Sequence, residues 1–319
     1  MLLLMSDIGI HGQNLDLCVC IPARNEADRL PIVLDAIAAQ NWPKPILVIV
    51  VINNSIDDSL AAVKQASTRH LGRLVLHAEF VTFPPDLAHA GSARRLAMDS
   101  GLALLPNRQN GVLISTDADT RPPPEWLTNI AHALSRGVDM VGGRIEIEPD
   151  EPLPPRVIAL RLAWDRYWHK VRAIEDELDP LPWDPAPRHG DHTGASLAIT
   201  AELYVRCGGV PPLPSGEDCA LVTAALAQEG RLSHPADVFT FVSPRRDGRA
   251  QEGMAQSMQT LFECAAREAA PSVPGFHHWR ERAVWRRQLR ARPEGHALVA
   301  QAEQHLPAMP HDMVLEITL

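Results

Sequence analysis

Apolar positions in the first half of the chain fall mainly in short runs. Residues 15–21 (LDLCVCI), 46–52 (ILVIVVI), 73–81 (RLVLHAEFV) and 111–116 (GVLIST) each have strand length. Pro22 is expected to stop the first, and the fourth runs into Asp117. Between them, residues 27–40, 57–69 and 91–105 carry apolar positions at helical spacing. The pattern predicts β-α-β-α order. Strands that are apolar throughout are buried on both faces, which predicts a mainly parallel sheet covered by helices.

Beyond residue 150 the pattern changes. Residues 156–178 read as one long amphipathic helix bearing Trp164, Tyr167 and Trp168. Residues 179–192 (DPLPWDPAPRHGDH) carry too many prolines for a helix and are expected to form a loop, either an acceptor-site lid or a disordered connector. Residues 193–210 predict strand, helix and a glycine stop. Residues 214–230 predict a turn and a helix that starts at Glu217 and Asp218. From residue 250 onward the chain reads as helical. The expected organisation is therefore an α/β half (1–150), a second half (151–249) and a helical C-terminal extension (250–319).

Three polar clusters close the apolar runs. They are Pro22, Ala23, Arg24, Asn25 and Glu26; then Asn53, Asn54, Ser55, Ile56, Asp57 and Asp58; then Asp117, Ala118 and Asp119. In a parallel sheet all three open on the carboxyl rim, where ligands bind. Asp117 and Asp119 at a strand end form D-x-D. Two neighbouring carboxylates repel, so the pair suggests a cation; the alternative is a turn, which Asp and Pro favour. Glu217 and Asp218 sit well at a helix start for electrostatic reasons alone.

Composition narrows the classes. The chain has 319 residues, and 30 basic against 39 acidic side chains give a net charge of −9. No basic stripe supports nucleic-acid binding. The five cysteines (Cys18, Cys20, Cys207, Cys219, Cys264) are scattered and form no C-x-x-C, which fits reduced thiols in a cytoplasmic protein. Cys18 and Cys20 share a strand face and are expected to fill core. The first ten residues lack a basic segment and do not read as a signal peptide, and no apolar run approaches a membrane span, so no integral membrane association is expected. A homodimer is compatible with all of this.

Taken in order, VCIPARNEADRL, VINNSIDDS, AGSARRLAMDSG, ISTDADT and HTGASLAITAELYVRCGGVPPLPSGEDCAL resemble the family 2 glycosyltransferases of the GT-A fold, over about residues 15–250. The resemblance implies a Rossmann-like, mixed and mainly parallel sheet that binds a nucleotide-diphospho-sugar of the UDP or GDP type. Residues 22–26 would lie along the nucleotide, with Glu26 near the ribose and Asn53, Asn54 or Asp57 by the base. Family members often carry Asp-Asp-Gly-Ser at that turn; this chain has Asn-Asn-Ser. Arg94 would face the nucleotide or diphosphate. Asp119 would hold a divalent cation, Mg2+ or Mn2+, and Asp117 the ribose or a metal-bound water. Asp218 would be the general base for an acceptor hydroxyl, supported by Glu217, with inversion favoured. Arg245 and Arg249 in SPRRDGR would close over the diphosphate. The acceptor and the sugar are not implied.

Other classes fit less well. In the haloacid-dehalogenase-like phosphatases the D-x-D strand is usually first, and Thr or Val stands two residues after the second Asp; here the strand is fourth and that place is Arg121. A dinucleotide oxidoreductase would carry Gly-x-Gly-x-x-Gly where this chain has PARNEA. A nucleotidyltransferase would need a glycine-rich basic loop there, and Arg24 stands alone. An inactive sugar-nucleotide-binding protein would be marked by loss of Asp119 or Asp218, and both are present. His189 and His192 are candidate contacts for metal or acceptor, His234 reads as structural, and Trp183 could stack on a sugar face or simply pack.

Overall fold

The computed structural model describes residues 15–149, 151–244 and 254–318. Strands β1 (Asp16–Ala23), β2 (Ile46–Asn53), β3 (Leu74–Val81) and β4 (Gly111–Ser115) are mutually parallel, in the order β3-β2-β1-β4. Helices α1 (Leu30–Ala38), α2 (Ser59–Arg69) and α3 (Ala90–Leu104) connect them. The sheet continues through β8 (Leu197–Thr200), β6 (Met140–Gly142) and β9 (Leu232–Ser233). β8 runs antiparallel to both its neighbours. The sheet is therefore mixed and mainly parallel, and it draws strands from both sides of residue 150.

Period-two alternation explains the layers. Val19, Ile21, Val50, Ile52 and Ile114 face one core, closed by α1, α2 and α4 (Trp126–Ser135). Cys18, Cys20, Ile49, Val51 and Leu113 face the other, closed by α3, α6 (Ala201–Arg206) and α7 (Glu217–Ala227). The two thiols are core side chains, as expected. Helices on both faces keep β1, β2 and β4 almost wholly apolar, whereas β3, at the sheet edge, carries His77 and Glu79 and is half exposed.

Pro22 does not stop β1: it lies inside the strand and pairs with Val51. The β1–β4 ladder ends at Cys20 and Ser115, so one side of the strand needs no further N–H beyond that point. A smaller sheet, β5 (Thr120–Arg121), β10 (Phe239–Val242) and β7 (Arg144–Ile147), flanks the carboxyl rim beside Asp119.

The long helix α5 (Pro155–Leu178) begins on a proline, whose missing N–H costs nothing at a first turn. It packs against α8 (Met254–Ala266) and α9 (Phe276–Arg290), while α10 (Gly295–Glu303) packs on α7 and α9. A short hairpin of β11 (Ser272–Val273) and β12 (Met313–Val314) completes this region. The loop at 179–192 is ordered: Arg188 pairs with Asp176 at 2.7 Å, Glu175 at 3.2 Å and Asp184 at 3.4 Å. No helix among the described residues is long and apolar enough to cross a membrane.

Candidate active site

β1, β2 and β4 end side by side, so their polar clusters meet at the rim. The first two clasp each other. Asn25 N–H donates to Ser55 Oγ at 2.8 Å, and Ile56 N–H returns a bond to Asn25 Oδ1 at 2.8 Å. Glu26 N–H donates to Ser59 Oγ, and Ala27 N–H to Asp57 Oδ2, both at 2.9 Å. Burial works against the Asp57 charge, but bonds from the Ser59 hydroxyl and from backbone N–H groups outweigh it and hold the carboxyl below its usual range. Asn54 places both amide atoms on the Phe83 backbone at 3.0 Å. Asn53 donates to the His89 carbonyl at 3.2 Å, at the residue that caps α3. Arg24 donates to the Ala88 carbonyl at 3.0 Å. Pro22, Ala23 and Glu26 are buried where β1 ends.

The third cluster is built around Arg94, on α3. Its guanidinium is buried and donates four bonds: Nε to Glu217 Oε1 at 3.0 Å, Nη1 to Ser115 Oγ at 2.5 Å and to the Gly194 carbonyl at 2.9 Å, Nη2 to Asp117 Oδ1 at 2.8 Å. Burial disfavours the arginine charge, yet Asp117 and Glu217 more than offset it and raise its pKa. The expectation set Arg94 against the nucleotide; here its donors face the site's own carboxylates. The Asp117–Ala118–Asp119 turn is braced by Thr120, whose hydroxyl donates to the Asp117 carbonyl at 2.9 Å and pairs with Thr116 at 2.7 Å.

Asp218 lies in the first turn of α7, next to Glu217. Its Oδ2 accepts the Gly194 N–H and its Oδ1 the Cys219 N–H, both at 2.7 Å. The Gly194 residue thus bonds Arg94 through its carbonyl and Asp218 through its amide. A Cβ at Gly194 would sit 2.4 Å from the Arg94 guanidinium carbon, so no larger residue fits without displacing the arginine. Ser115 and Gly194 carried no role in the sequence reading. Their signal was faint: a serine closing an apolar strand, and a glycine inside TGAS.

Behind Asp218 runs a chain of imidazoles. His192 Nδ1 lies 3.3 Å from His234 Nε2, and His234 Nδ1 lies 2.8 Å from Asp184 Oδ2. Burial, and then the neighbouring His234, push His192 down to about 4, with Asp218 pulling the other way. His189 bonds the Pro235 carbonyl at 3.1 Å, and burial takes it to about 3. His234 is buried between Asp184 and His192, with its backbone N–H also bonded to Asp184 Oδ1 at 2.7 Å. Trp183 packs against the core and His296. Arg245 and Arg249 lie outside the described residues.

Asp117, Glu217 and Asp218 surround the buried Arg94 with three carboxylates. Asp117 gives Arg94 only one oxygen and its side chain is 37% exposed. Asp117 and Asp119 offer only oxygen donors, the ligand type that suits a hard divalent cation.

A family model described as Glycosyl transferase family 2 matches residues 18–177, which includes the D-x-D turn and Arg94 and stops short of Glu217. No curated protein matches the chain in sequence. Among solved structures, the mannosyltransferase PcManGT from Pyrobaculum calidifontis, in complex with GDP-Man and Mn2+, is 17% identical with a TM-score of 0.51; the match covers 90% of this chain and 86% of that one. S. aureus TarS 1-349 in complex with UDP-GlcNAc is 16% identical with a TM-score of 0.52, covering 86% and 72%. At these identities the likeness is one of fold.

Proposed function

This chain belongs to glycosyl transferase family 2, and from that premise we propose that it moves a sugar from a nucleotide-diphospho-sugar to an acceptor hydroxyl with inversion, Asp218 acting as general base. The observation that carries the reading is the Arg94 junction. One buried guanidinium fixes Asp117 of the D-x-D turn and Glu217 of the α7 start, and through Gly194 it sets the orientation of Asp218. A donor-side carboxylate and an acceptor-side carboxylate are thereby held in one rigid frame, as displacement at a single carbon requires.

In this reading the clasped loops at 22–26 and 53–57 form the nucleotide shelf. Asn25 and Asp57 shape it, and Asn53 and Asn54 brace its outer wall. Asp119 and Asp117 would hold a divalent cation, which when bound neutralises charge growing on the leaving diphosphate. Asp218 takes the acceptor proton, its oxygens oriented by two backbone N–H bonds. Arg94 is a positioning residue, and Glu217 keeps it in place. Arg245 and Arg249 would close over the diphosphate. Fold relatives that carry GDP-Man with Mn2+, and UDP-GlcNAc, support a UDP- or GDP-type donor and Mn2+ or Mg2+ here. The five unpaired cysteines support a reducing compartment such as the cytoplasm.

Thermal shift with UDP-, GDP-, ADP- and dTDP-sugars, with and without Mn2+, tests the donor site. A ligand at 100-fold its Kd adds about 2.7 kcal/mol. Stabilisation by one nucleotide class, dependent on metal and lost in Asp119→Ala, is expected. A folded protein indifferent to all four would overturn the reading.

A further inference from the structure

We propose that His277, His278 and Asp312 form a second metal site, for a transition ion of the Zn2+ class, at the head of α9. It stands apart from the donor-site reading and does not depend on it. The three ligand atoms lie within 4.8 Å of one another. His278 Nε2 is 3.0 Å and His277 Nε2 is 3.7 Å from the same oxygen, Asp312 Oδ2. Ligand bonds of ~2.0–2.1 Å in tetrahedral array set neighbouring ligands ~3.3–3.4 Å apart. The two imidazole–carboxylate spacings straddle that value, so each histidine needs to shift by only a few tenths of an ångström relative to Asp312.

The surroundings are arranged for the carboxylate. Asp312 Oδ1 accepts the Gly275 N–H at 2.9 Å, which turns Oδ2 toward both imidazoles. Such a bond to the other carboxylate oxygen is the usual way a ligand is oriented. A Cβ on Gly275 would come within 2.8 Å of His277 Nδ1 and 3.0 Å of Asp312 Oδ1, so a larger residue there would push His277 away from the carboxylate. Helix capping by Asp312 with a hydrogen bond from His278 would explain two of the residues. It leaves His277 unexplained, whose ring packs on His278 at 3.8 Å between centroids with Nε2 aimed at the same oxygen. His277 is 61% exposed, which gives an ion entry and lets water complete the coordination.

Ligand type separates this site from the D-x-D corner. Two imidazoles and one carboxylate suit Zn2+, Ni2+ or Cu2+, whereas all-carboxylate sites suit Mg2+ or Mn2+. The role would be structural. Asp312 precedes β12, which pairs with β11, while the histidines open α9. An ion there ties two segments 34 residues apart and secures the layer in which Val273 and Leu315 pack on Tyr167 of α5.

The full chain, stripped of metal, is titrated with Zn2+ by calorimetry, and bound zinc is counted by mass spectrometry. His277→Ala keeps the His278–Asp312 bond and the helix cap, and Asp312→Asn keeps a cap acceptor, so both are expected to fold. Each should bind one zinc fewer than wild type, or bind it at least tenfold more weakly. Wild type and Asp119→Ala should both retain the site and unfold at higher temperature with Zn2+. An excess of Mg2+ should not displace the ion. Equal zinc stoichiometry and affinity in wild type, His277→Ala and Asp312→Asn would overturn the proposal, as would displacement by Mg2+.

Discussion

Arg94 shows how much one side chain can organise. Its fork presents donors in a fixed plane, and it reaches Asp117, Glu217, Ser115 and Gly194 at once. An ammonium could not span those directions. The proposed base is oriented from the same centre, so its chemistry can be tested separately from its placement. Asp218→Asn preserves volume and one acceptor oxygen. It should lower kcat ~10²–10⁴-fold while donor-induced stabilisation stays as in wild type. Steady-state turnover with thermal shift measures both; unchanged kcat would move the base elsewhere. At this scale the sequence disclosed residue types well. Asp117, Asp119, Glu217 and Asp218 stood out because carboxylates at strand and helix ends are chemically conspicuous. Gly194 did not, because its contribution is two backbone bonds and the lack of a Cβ.

Among the elements, α5 and its loop are held by buried charge. Glu175 is 5% exposed and meets Arg172 at 2.7 Å, Arg286 at 2.8 Å and Arg188 at 3.2 Å. Burial penalises the carboxylate, but the three arginines win and hold its pKa low. Removing it takes the ion-pair partner from partly buried Arg172 and one of the carboxylates that hold Arg286 of α9 and Arg188 of the loop. Glu175→Ala should therefore cost about 3 kcal/mol or more, read as a lower urea midpoint. The helix itself was legible, since its amphipathic period is local. The ion pairs were not, because Glu175 and Arg286 are separated by 111 residues. Strands β5, β6, β7, β9 and β10 also escaped the sequence reading: two to four residues carry no period. They form strands because partners already in place accept them.

For the whole molecule, pH is the sharpest probe. Burial and then His234 hold His192 near 4 and His189 near 3, against 6.5 for an ordinary imidazole. As pH falls, the unfolded chain takes up these protons first, so it gains relative to the fold. Stability should be full above pH 6.5 and decline as pH drops from 6.5 toward 4 and then 3. Glu175 and Asp184, held low by their partners, add losses once pH falls below their ordinary values of 4.5 and 3.8. Urea midpoints across this range should fall steadily with acidification, and His192→Gln should flatten the upper part of the slope. A flat profile would mean that the imidazoles are hydrated. The sequence by itself determined the strand–helix alternation, the parallel character of the first four strands and the D-x-D at the fourth strand end. These follow from side-chain period and hydration, which act over a few residues. Only the tertiary structure decided that β8 runs antiparallel, that Arg94 faces carboxylates, that His192, His234 and Asp184 line up, and that His277, His278 and Asp312 converge. Those outcomes depend on which distant groups share one buried space, where an unpaired charge or donor is too costly to leave unmatched.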